Sequence, residues 1–172
     1  MEKKKKTENI DENQKIRLLF VCLGNICRSP SAEAVMKKLV QDAGLEDRIE
    51  IDSAGTAAYH EGERADARMR QHAIKRGYDL ESISRPVRVL DYFDFDMLIG
   101  MDDRNFSDLR REAPDQESVS KVYRMMEFSS QMIMDHVPDP YYGGPAGFEQ
   151  VLDILEEACM GLLNHLRLVY KF

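Results

Sequence analysis

One ten-residue segment, residues 21–30 with the sequence VCLGNICRSP, constrains the fold of this chain more than any other. The apolar run before it, residues 16–21, is typical of a buried strand, and the residues after it predict a helix ending near Gly44. Pro30 suits the first turn of that helix. A short loop leading into a helix N-terminus presents backbone N–H groups and the positive end of the helix dipole. The sequence therefore predicts an anion-binding loop between a buried strand and a helix.

This loop also carries a thiol and a guanidinium, at Cys22 and Arg28. Positive charge and N–H donors favour a thiolate over a thiol, so we expect Cys22 to be ionised. The same groups would hold the oxygens of a phosphoryl group whose phosphorus faces the sulfur. The spacing Cys-x5-Arg is weak by itself, whereas the whole string up to Ser29, between a strand and a helix, is far more specific. The alternative is a buried structural Cys22 with Arg28 on the surface.

The rest of the chain alternates between segments typical of strands and segments typical of helices. Strands are predicted at residues 49–53, 95–101 and, more weakly, 118–123. Helices are predicted at residues 66–76, 103–111 and 148–169, with a functional loop over most of residues 125–147. This alternation indicates an α/β fold with an open, doubly wound parallel sheet.

Polar residues fall at the ends of three predicted strands. In a doubly wound sheet, ligands bind in the crevice beyond the carboxyl ends of the strands. The ends here are Cys22, Ser53 and Asp102. These three residues are therefore expected to converge on one rim of the sheet.

Length, charge and cysteine content exclude several classes of protein. The 172 residues suffice for one domain, assigned to residues 15–172, behind a polar tail at residues 1–14 that we predict to be disordered. A net charge of −7 argues against nucleic-acid binding, and no apolar run is long enough for membrane insertion. Three cysteines, one of them reactive, favour a reducing compartment, so a cytoplasmic location is predicted. The histidines show no metal-ligand spacing, so neither a metal nor a cofactor is expected.

The loop at residues 22–30 resembles the signature of the low-molecular-weight protein tyrosine phosphatases. The resemblance continues at residues 52–56 (DSAGT), 101–102 (MD) and 139–143 (DPYYG), and it covers about residues 16–170. The family's fold, a four-stranded parallel sheet flanked by helices (flavodoxin-like), agrees with the predicted architecture. The resemblance implies a hydrolase that removes phosphate from tyrosine-phosphorylated proteins through a cysteinyl-phosphate intermediate. By family analogy, autophosphorylated tyrosine kinases would be among its partners.

The chemistry and the resemblance together assign the site. Cys22 would be the nucleophile, Arg28 would bind the phosphoryl oxygens, and Asp139 would serve as general acid and base. The loop residues expected to bind phosphate are Leu23, Gly24, Asn25, Ile26, Cys27, Arg28 and Ser29. The residues expected to support the loop are Asn25, Ser29, Ser53 and Asp102.

Several supporting roles leave alternatives open. Ser29 could donate its hydroxyl to the Cys22 sulfur or cap the following helix, and the two roles are compatible. Asp102 could orient the loop or the substrate, or it could cap the next helix. Several family members carry a histidine, as partner of the serine that matches Ser53, where this chain has Ser82. The brace is therefore expected to be looser or differently wired.

Aromatic side chains are expected to form two walls of the cleft. Tyr59 and His60 fall where the family sets one substrate wall. Tyr141 and Tyr142 would line the other and stack on an aromatic ester. The family also suggests that Tyr141 and Tyr142 are themselves phosphorylated.

Cys27, the second cysteine of the loop, has two interpretations. Peroxide oxidises an accessible thiolate such as Cys22 first, and Cys27, close by in a curved loop, could intercept the product as a disulfide. The enzyme would then be redox-regulated. The alternative is that Cys27 packs beneath the loop as a small apolar residue.

Three other functions compete with tyrosine phosphatase activity. Protein arginine phosphatases resemble this loop but usually carry threonine where Ile26 stands, so Ile26 favours the tyrosine branch. Thioredoxin-coupled arsenate reductases need two further cysteines downstream of the loop, and this chain has only Cys159 there. A catalytically inactive phosphoprotein-binding module is the third alternative. The presence of Cys22, Arg28 and Asp139 together argues against it.

Overall fold

The structure is a computed structural model that describes residues 14–131, 134–141 and 143–172. The predicted tail at residues 1–14 lies outside the described residues except for Gln14. The strands are β1 (Ile16–Cys22), β2 (Ile49–Gly55), β3 (Met97–Gly100) and β4 (Val122–Arg124). The helices are α1 (Arg28–Asp42), α2 (Ala67–Lys75), α3 (Asp91–Asp94), α4 (Asp103–Glu112), α5 (Gln116–Val119) and α6 (Pro145–Tyr170). A 3-10 turn at Met125–Phe128 follows β4.

The four strands form one parallel sheet in the order β2-β1-β3-β4. Strand β1 lies between β2 and β3, and its side chains alternate between two apolar clusters. Leu18 and Phe20 pack with α1 and α6 on one face, whereas Leu19 and Val21 pack with α3 and α4 on the other. The predicted open, doubly wound four-stranded parallel sheet flanked by helices is confirmed.

Most predicted elements are present, and the differences lie at their ends. The fourth strand was predicted at residues 118–123, but it runs from Val122 to Arg124. The Asp115 side chain accepts a hydrogen bond from the Ser118 N–H at 2.7 Å and so caps α5, which takes residues 116–119 out of the strand. Likewise, the third strand begins at Met97 rather than at residue 95.

Glycines end α1 and α2 as expected, since Gly44 and Gly77 have φ of 69° and 85°. Within the described residues, no helix has both the length and the apolarity needed to cross a bilayer.

Candidate active site

The carboxyl ends of the central strands meet at one edge of the sheet. Cys22, the last residue of β1, pairs in register with Gly55, the last residue of β2. The N–H of Met101, just after β3, donates to the carbonyl of Val21 at 3.0 Å. Beyond this edge lies a cavity of about 110 Å³. It is lined by Cys22, Leu23, Gly24, Ile26, Cys27, Arg28, Tyr59, His60, Asp139 and Tyr141.

The carbonyl groups of the loop after β1 point away from this cavity. Four of them accept hydrogen bonds of 2.8–3.0 Å from neighbouring segments. The carbonyls of Cys22 and Leu23 accept from the N–H groups of Thr56 and Ala57. The Gly24 carbonyl accepts from the Ser84 hydroxyl, and the Ile26 carbonyl accepts from the Asp66 N–H. In a trans peptide the C=O and the following N–H point in opposite directions. The N–H groups after these carbonyls are therefore turned toward the cavity, as an anion site requires.

Gly55 allows the segment after β2 to approach this loop so closely. A Cβ atom at position 55 would lie 2.7 Å from the carbonyl oxygen of Leu23 and 2.9 Å from that of Ala57. Any side chain there would push the loop away from its hydrogen-bond partners.

Asn25 holds the bend of the loop. Its φ of 55° lies in the left-handed region, which asparagine tolerates better than most residues. Its Nδ2 donates to the hydroxyl oxygens of Ser29 and Ser53, at 2.8 and 3.0 Å. Its Oδ1 accepts from the backbone N–H of Arg85 at 3.1 Å, which fixes the orientation of the amide. The structure thus brings together three of the predicted loop supports.

A chain of hydrogen bonds runs from Glu33 to the Cys22 sulfur. Because a carboxylate only accepts, the Ser53 hydroxyl must donate to Glu33 Oε1, at 2.6 Å. Ser53 in turn accepts from Asn25, which also donates to Ser29. The Ser29 oxygen also lies 3.0 Å from the Cys22 sulfur, and toward a thiolate, which has no hydrogen, Ser29 is the donor. Asn25, oriented by Arg85, therefore donates in both directions, toward Ser53 and Glu33 on one side and toward Ser29 beside Cys22 on the other.

Ser29 does not cap the helix. Helix α1 begins at Arg28 with Cys27 as its N-cap, so Ser29 already lies in the first turn. Its hydroxyl is closer to the Cys22 sulfur than to its other acceptor, the Ala54 carbonyl at 3.4 Å. Of the two roles considered for Ser29, the structure supports the contact with sulfur, and the capping role is wrong.

The brace is wired through Glu33 rather than through Ser82. Ser82 lines a separate cavity of about 200 Å³ that Glu33 also borders. His72, on α2, takes no part in the brace, since its Nδ1 bonds to Glu149 on the neighbouring helix α6 at 2.8 Å. In place of the histidine that several family members carry at the position of Ser82, Glu33 is therefore the partner of Ser53.

The Arg28 side chain is 4% exposed and is held by three oxygen-bearing groups. Its Nη1 donates to Asp102 Oδ2 at 2.6 Å and to the Val137 carbonyl at 3.1 Å. Its Nη2 lies 3.8 Å from Asp139 Oδ2. Burial acts to lower the pKa of Arg28, but the charge of Cys22 and the carboxylates of Asp102 and Asp139 raise it overall. The guanidinium is therefore charged and fixed in orientation.

Asp102 performs both of the roles that the sequence left open. Its Oδ1 accepts from the N–H of Asn105 at 2.8 Å and caps α4. Its Oδ2 accepts from Arg28. One carboxylate thus ties the end of β3 to the arginine of the loop.

Asp139 lies on a segment that is anchored at several points. The N–H of Val137 donates to the Met101 carbonyl at 2.9 Å, which ties the segment to the end of β3. Asp139 Oδ1 accepts from the N–H of Tyr141 at 3.0 Å. Its Oδ2 faces Arg28. The carboxyl group therefore lies at the cavity that Cys22 also lines.

Aromatic rings flank the cavity as expected. The rings of His60 and Tyr141 have centroids 6.1 Å apart and are tilted by 46°. His60 covers Gly24, where a Cβ would lie 3.0 Å from the imidazole Cδ2, and its Nδ1 is paired with Glu63 at 2.7 Å. Tyr59 is 74% exposed at the cavity mouth. Tyr142 lies outside the described residues.

Cys27 packs in an apolar cluster beneath the loop, with Ile26, Met69 and Phe148. Burial is the main cause that raises the pKa of the Cys27 thiol well above that of an ordinary cysteine. Cys22 and Cys27 are both free thiols in the structure. The packing role of Cys27 is thus present, and its redox role stays a prediction.

Glu33, Arg85 and Val137 are among the residues of the site that the sequence analysis missed. Glu33 had a usable signal, because it follows Ser29 by one helical turn and so shares its face of α1. Arg85 and Val137 act here through a backbone N–H and a backbone carbonyl, which side-chain patterns do not reveal.

The family model for low molecular weight phosphotyrosine protein phosphatase matches residues 17–169 of this chain. The chain belongs to this family. It is therefore an enzyme, a low molecular weight protein-tyrosine-phosphatase, and the inactive binding module is set aside.

Relatives of this phosphatase are known from distant organisms. A low molecular weight protein-tyrosine-phosphatase of Streptomyces coelicolor is 42% identical over 154 residues, which cover 88% of this chain and 93% of that protein. A crystal structure of an Entamoeba histolytica protein tyrosine phosphatase is 49% identical, with a TM-score of 0.87, and covers 89% of this chain and 97% of that one. A Drosophila arginine phosphatase structure is 30% identical, with a TM-score of 0.83, and covers 88% and 98% of the two chains.

Proposed function

We propose that this phosphatase hydrolyses protein phosphotyrosine in two displacements at Cys22. The observation that carries the proposal is the convergence on one cavity of Cys22, Arg28 and Asp139 with inward-facing N–H groups. In the first step, the Cys22 thiolate attacks phosphorus and the bond from phosphorus to the tyrosine oxygen breaks. Asp139 gives its proton to the leaving oxygen. The products are a cysteinyl-phosphate and the substrate protein with an unmodified tyrosine side chain.

In the second step, water replaces the sulfur. Asp139, now a carboxylate, takes a proton from water as the water oxygen attacks phosphorus. The bond between sulfur and phosphorus breaks, and the electron pair returns to Cys22. The Ser29 hydroxyl, 3.0 Å from the sulfur, donates a hydrogen bond that stabilises the departing thiolate. Inorganic phosphate leaves.

Arg28 supplies the charge that both steps need. Its planar guanidinium can donate two parallel N–H bonds to equatorial phosphoryl oxygens, which a lysine cannot reproduce. Asp102 and the Val137 carbonyl already accept hydrogen bonds from Nη1 of this guanidinium. The loop N–H groups would share the remaining oxygen contacts.

The proposed substrates are tyrosine-phosphorylated proteins, with autophosphorylated tyrosine kinases included by family analogy. His60 and Tyr141 form walls suited to a flat phenolic ester. The Drosophila arginine phosphatase shows that this fold also serves phosphoarginine. The fold alone does not decide between the two branches, and Ile26 favours the tyrosine branch.

The substrate class is tested with one peptide sequence that carries phosphotyrosine, phosphoserine or phosphoarginine in turn, in the presence of excess chelator. We expect kcat/KM for phosphotyrosine to exceed the others by at least about 100-fold, a ratio that a shaped pocket with specific contacts achieves. A higher kcat/KM on the phosphoarginine peptide would place this enzyme in the arginine branch, and comparable values would contradict a preference for phosphotyrosine. Loss of activity with chelator would contradict a mechanism that needs no metal.

Iodoacetate is expected to inactivate the enzyme near neutral pH by modifying Cys22 alone. Burial raises the pKa of Cys27 and of Cys159, so both stay thiols until far above neutral pH and react slowly. Inorganic phosphate should protect Cys22 by occupying the loop. Peptide mass spectrometry gives the modified residue and residual activity gives the rate. Inactivation that accompanies labelling of Cys27, or that phosphate does not slow, would contradict this assignment.

Glu33→Ala is expected to lower kcat roughly tenfold, because a buried hydrogen bond to a charged group contributes about 1.5–3 kcal/mol and this one holds Ser53, which with Ser29 accepts from the Asn25 amide beside Cys22. The effect should appear on an aryl phosphate with a very acidic phenol, for which loss of sulfur from the intermediate limits the rate. Lys37→Ala is the matched control, because Lys37 pairs with Glu33 at 2.6 Å but lies outside the chain. Equal losses in the two variants would show that Glu33 acts through general stability.

A further inference from the structure

Arg68, on the exposed side of α2, touches the segment that carries Asp139. Its Nη2 donates to the Tyr141 carbonyl at 3.0 Å. Its guanidinium carbon also lies 5.5 Å from the centroid of the Tyr141 ring and 4.9 Å from that of Phe148. Arg68 is not among the residues that line the catalytic cavity. Any effect on chemistry must therefore pass through the residues that it holds.

The orientation of Arg68 is set by the start of its own helix. Asp66 caps α2 by accepting from the N–H groups of Arg68 and Met69, at 2.9 and 3.2 Å. The same carboxylate accepts from Arg68 Nε at 3.3 Å and from Nη2 at 3.2 Å. Burial acts to raise the pKa of Asp66, but these hydrogen bonds lower it overall, so Asp66 is ionised at neutral pH. The guanidinium is thus held toward Tyr141.

Asp66 also ties this arrangement to the phosphate loop. Its backbone N–H donates to the carbonyl of Ile26 at 2.8 Å. On the other side, the N–H of Tyr141 donates to Asp139 Oδ1 at 3.0 Å. The contacts therefore run from the loop through Asp66 and Arg68 to Tyr141 and the Asp139 carboxyl group. The Asp139 segment is anchored before that residue by Val137, and Arg68 supplies an anchor after it.

We propose that Arg68 is a positioning residue that holds Asp139 within reach of the leaving oxygen. The proposal rests on the proposed role of Asp139 as general acid. Without Arg68, the segment after Asp139 loses a charged hydrogen bond and a stacking surface, and the carboxyl group spends less time in place. A group that must lie within hydrogen-bond reach of a leaving oxygen is sensitive to such a loss. The loss of rate without Arg68 should therefore be largest for the leaving groups that most need a proton.

The test uses aryl phosphates whose phenols range from strongly to weakly acidic. Arg68→Ala should lower kcat about tenfold for the least acidic phenol, a fraction of the roughly 10²–10⁴-fold that general acid catalysis contributes. For the most acidic phenol, kcat reports loss of sulfur, in which Asp139 is the base, so the first step is followed there by single-turnover measurements, and its rate should fall less than about twofold. Arg68→Lys, which keeps the charge and one donor, should recover part of the loss. Arg70→Ala is the matched control, since Arg70 is on the same helix and donates to the Ala65 carbonyl at 2.9 Å.

The same series in an Asp139→Ala background separates the possible outcomes. If Arg68 acts through Asp139, Arg68→Ala should add less than about twofold there, because coupled residues are not additive. An equal loss on every phenol, or an undiminished loss in the Asp139→Ala background, would overturn the proposal while leaving the general acid in place. If Asp139→Ala itself shows no dependence on the phenol, the acid role fails, and the proposal for Arg68 fails with it.

Discussion

Cys22→Ser is expected to reduce turnover by more than about 10⁴-fold, the scale of loss seen when an enzyme loses its nucleophile. A serine hydroxyl at the end of β1 would keep its contact with Ser29, but it is barely ionised near neutral pH. Even if it attacked, the product would be a stable phosphate ester of serine, since an alkoxide leaves less readily than a thiolate. Acid quenching followed by mass spectrometry should show a phosphoryl adduct on Cys22 in the wild type and none in the variant.

Two further variants make this result specific. Cys159→Ser is the matched control, because Cys159 is a buried thiol on α6 whose only recorded hydrogen bond within the described residues is a long one of 3.9 Å to the Ala32 carbonyl. It should keep wild-type turnover. Arg28→Lys should be nearly as damaging as Cys22→Ser, because lysine cannot replace the fork that Asp102 and Val137 orient. Substantial turnover by Cys22→Ser would mean that water attacks phosphorus directly.

The features predicted well from sequence are those set by neighbours along the chain. The anion loop lies between a strand and a helix that are both local in sequence, and its conformation depends on residues such as Asn25 within it. The convergence of Cys22 and Asp102 follows from parallel topology alone. The Asp102 cap acts on an N–H group only three residues away. In each case, local chemistry and the global fold agree.

The features missed from sequence depend on distant packing. Ser53 could be expected near the loop, but its partner Glu33 is known only when β2 and α1 are placed side by side. The same holds for Arg68, which is 73 residues from Tyr141 in the chain. The fourth strand is a local miss: it was predicted to begin at residue 118, but the Asp115 side chain caps a short helix at Gln116–Val119. Tertiary contacts decided the cases of Glu33 and Arg68, and one sequence does not show them.

Asp139→Ala is expected to lower kcat by roughly 10²–10⁴-fold on substrates whose leaving phenols are weakly acidic, the usual range for loss of a general acid. The Asp139 carboxyl group borders the cavity beside Arg28 and is held by the Tyr141 N–H. Without it, the leaving oxygen must depart as a phenolate that no group protonates. The loss should shrink as the phenol becomes more acidic, because a more stable phenolate needs less protonation. Rates across a series of substituted phenyl phosphates give this dependence directly.

Asp135→Ala is the matched control for this prediction. Asp135 lies four residues earlier in the same segment and is exposed. Its Oδ1 lies 2.7 Å from His136 Nδ1, and Asp135 is not among the residues that line the cavity. Its removal should leave both kcat and the dependence on the phenol unchanged. Single-turnover measurements ensure that the chemical step is the one observed, because loss of sulfur from the intermediate otherwise hides the first step for the most acidic phenols. If the Asp139→Ala loss is the same for every phenol under those conditions, Asp139 does not protonate the leaving group, and its carboxylate serves Arg28 instead.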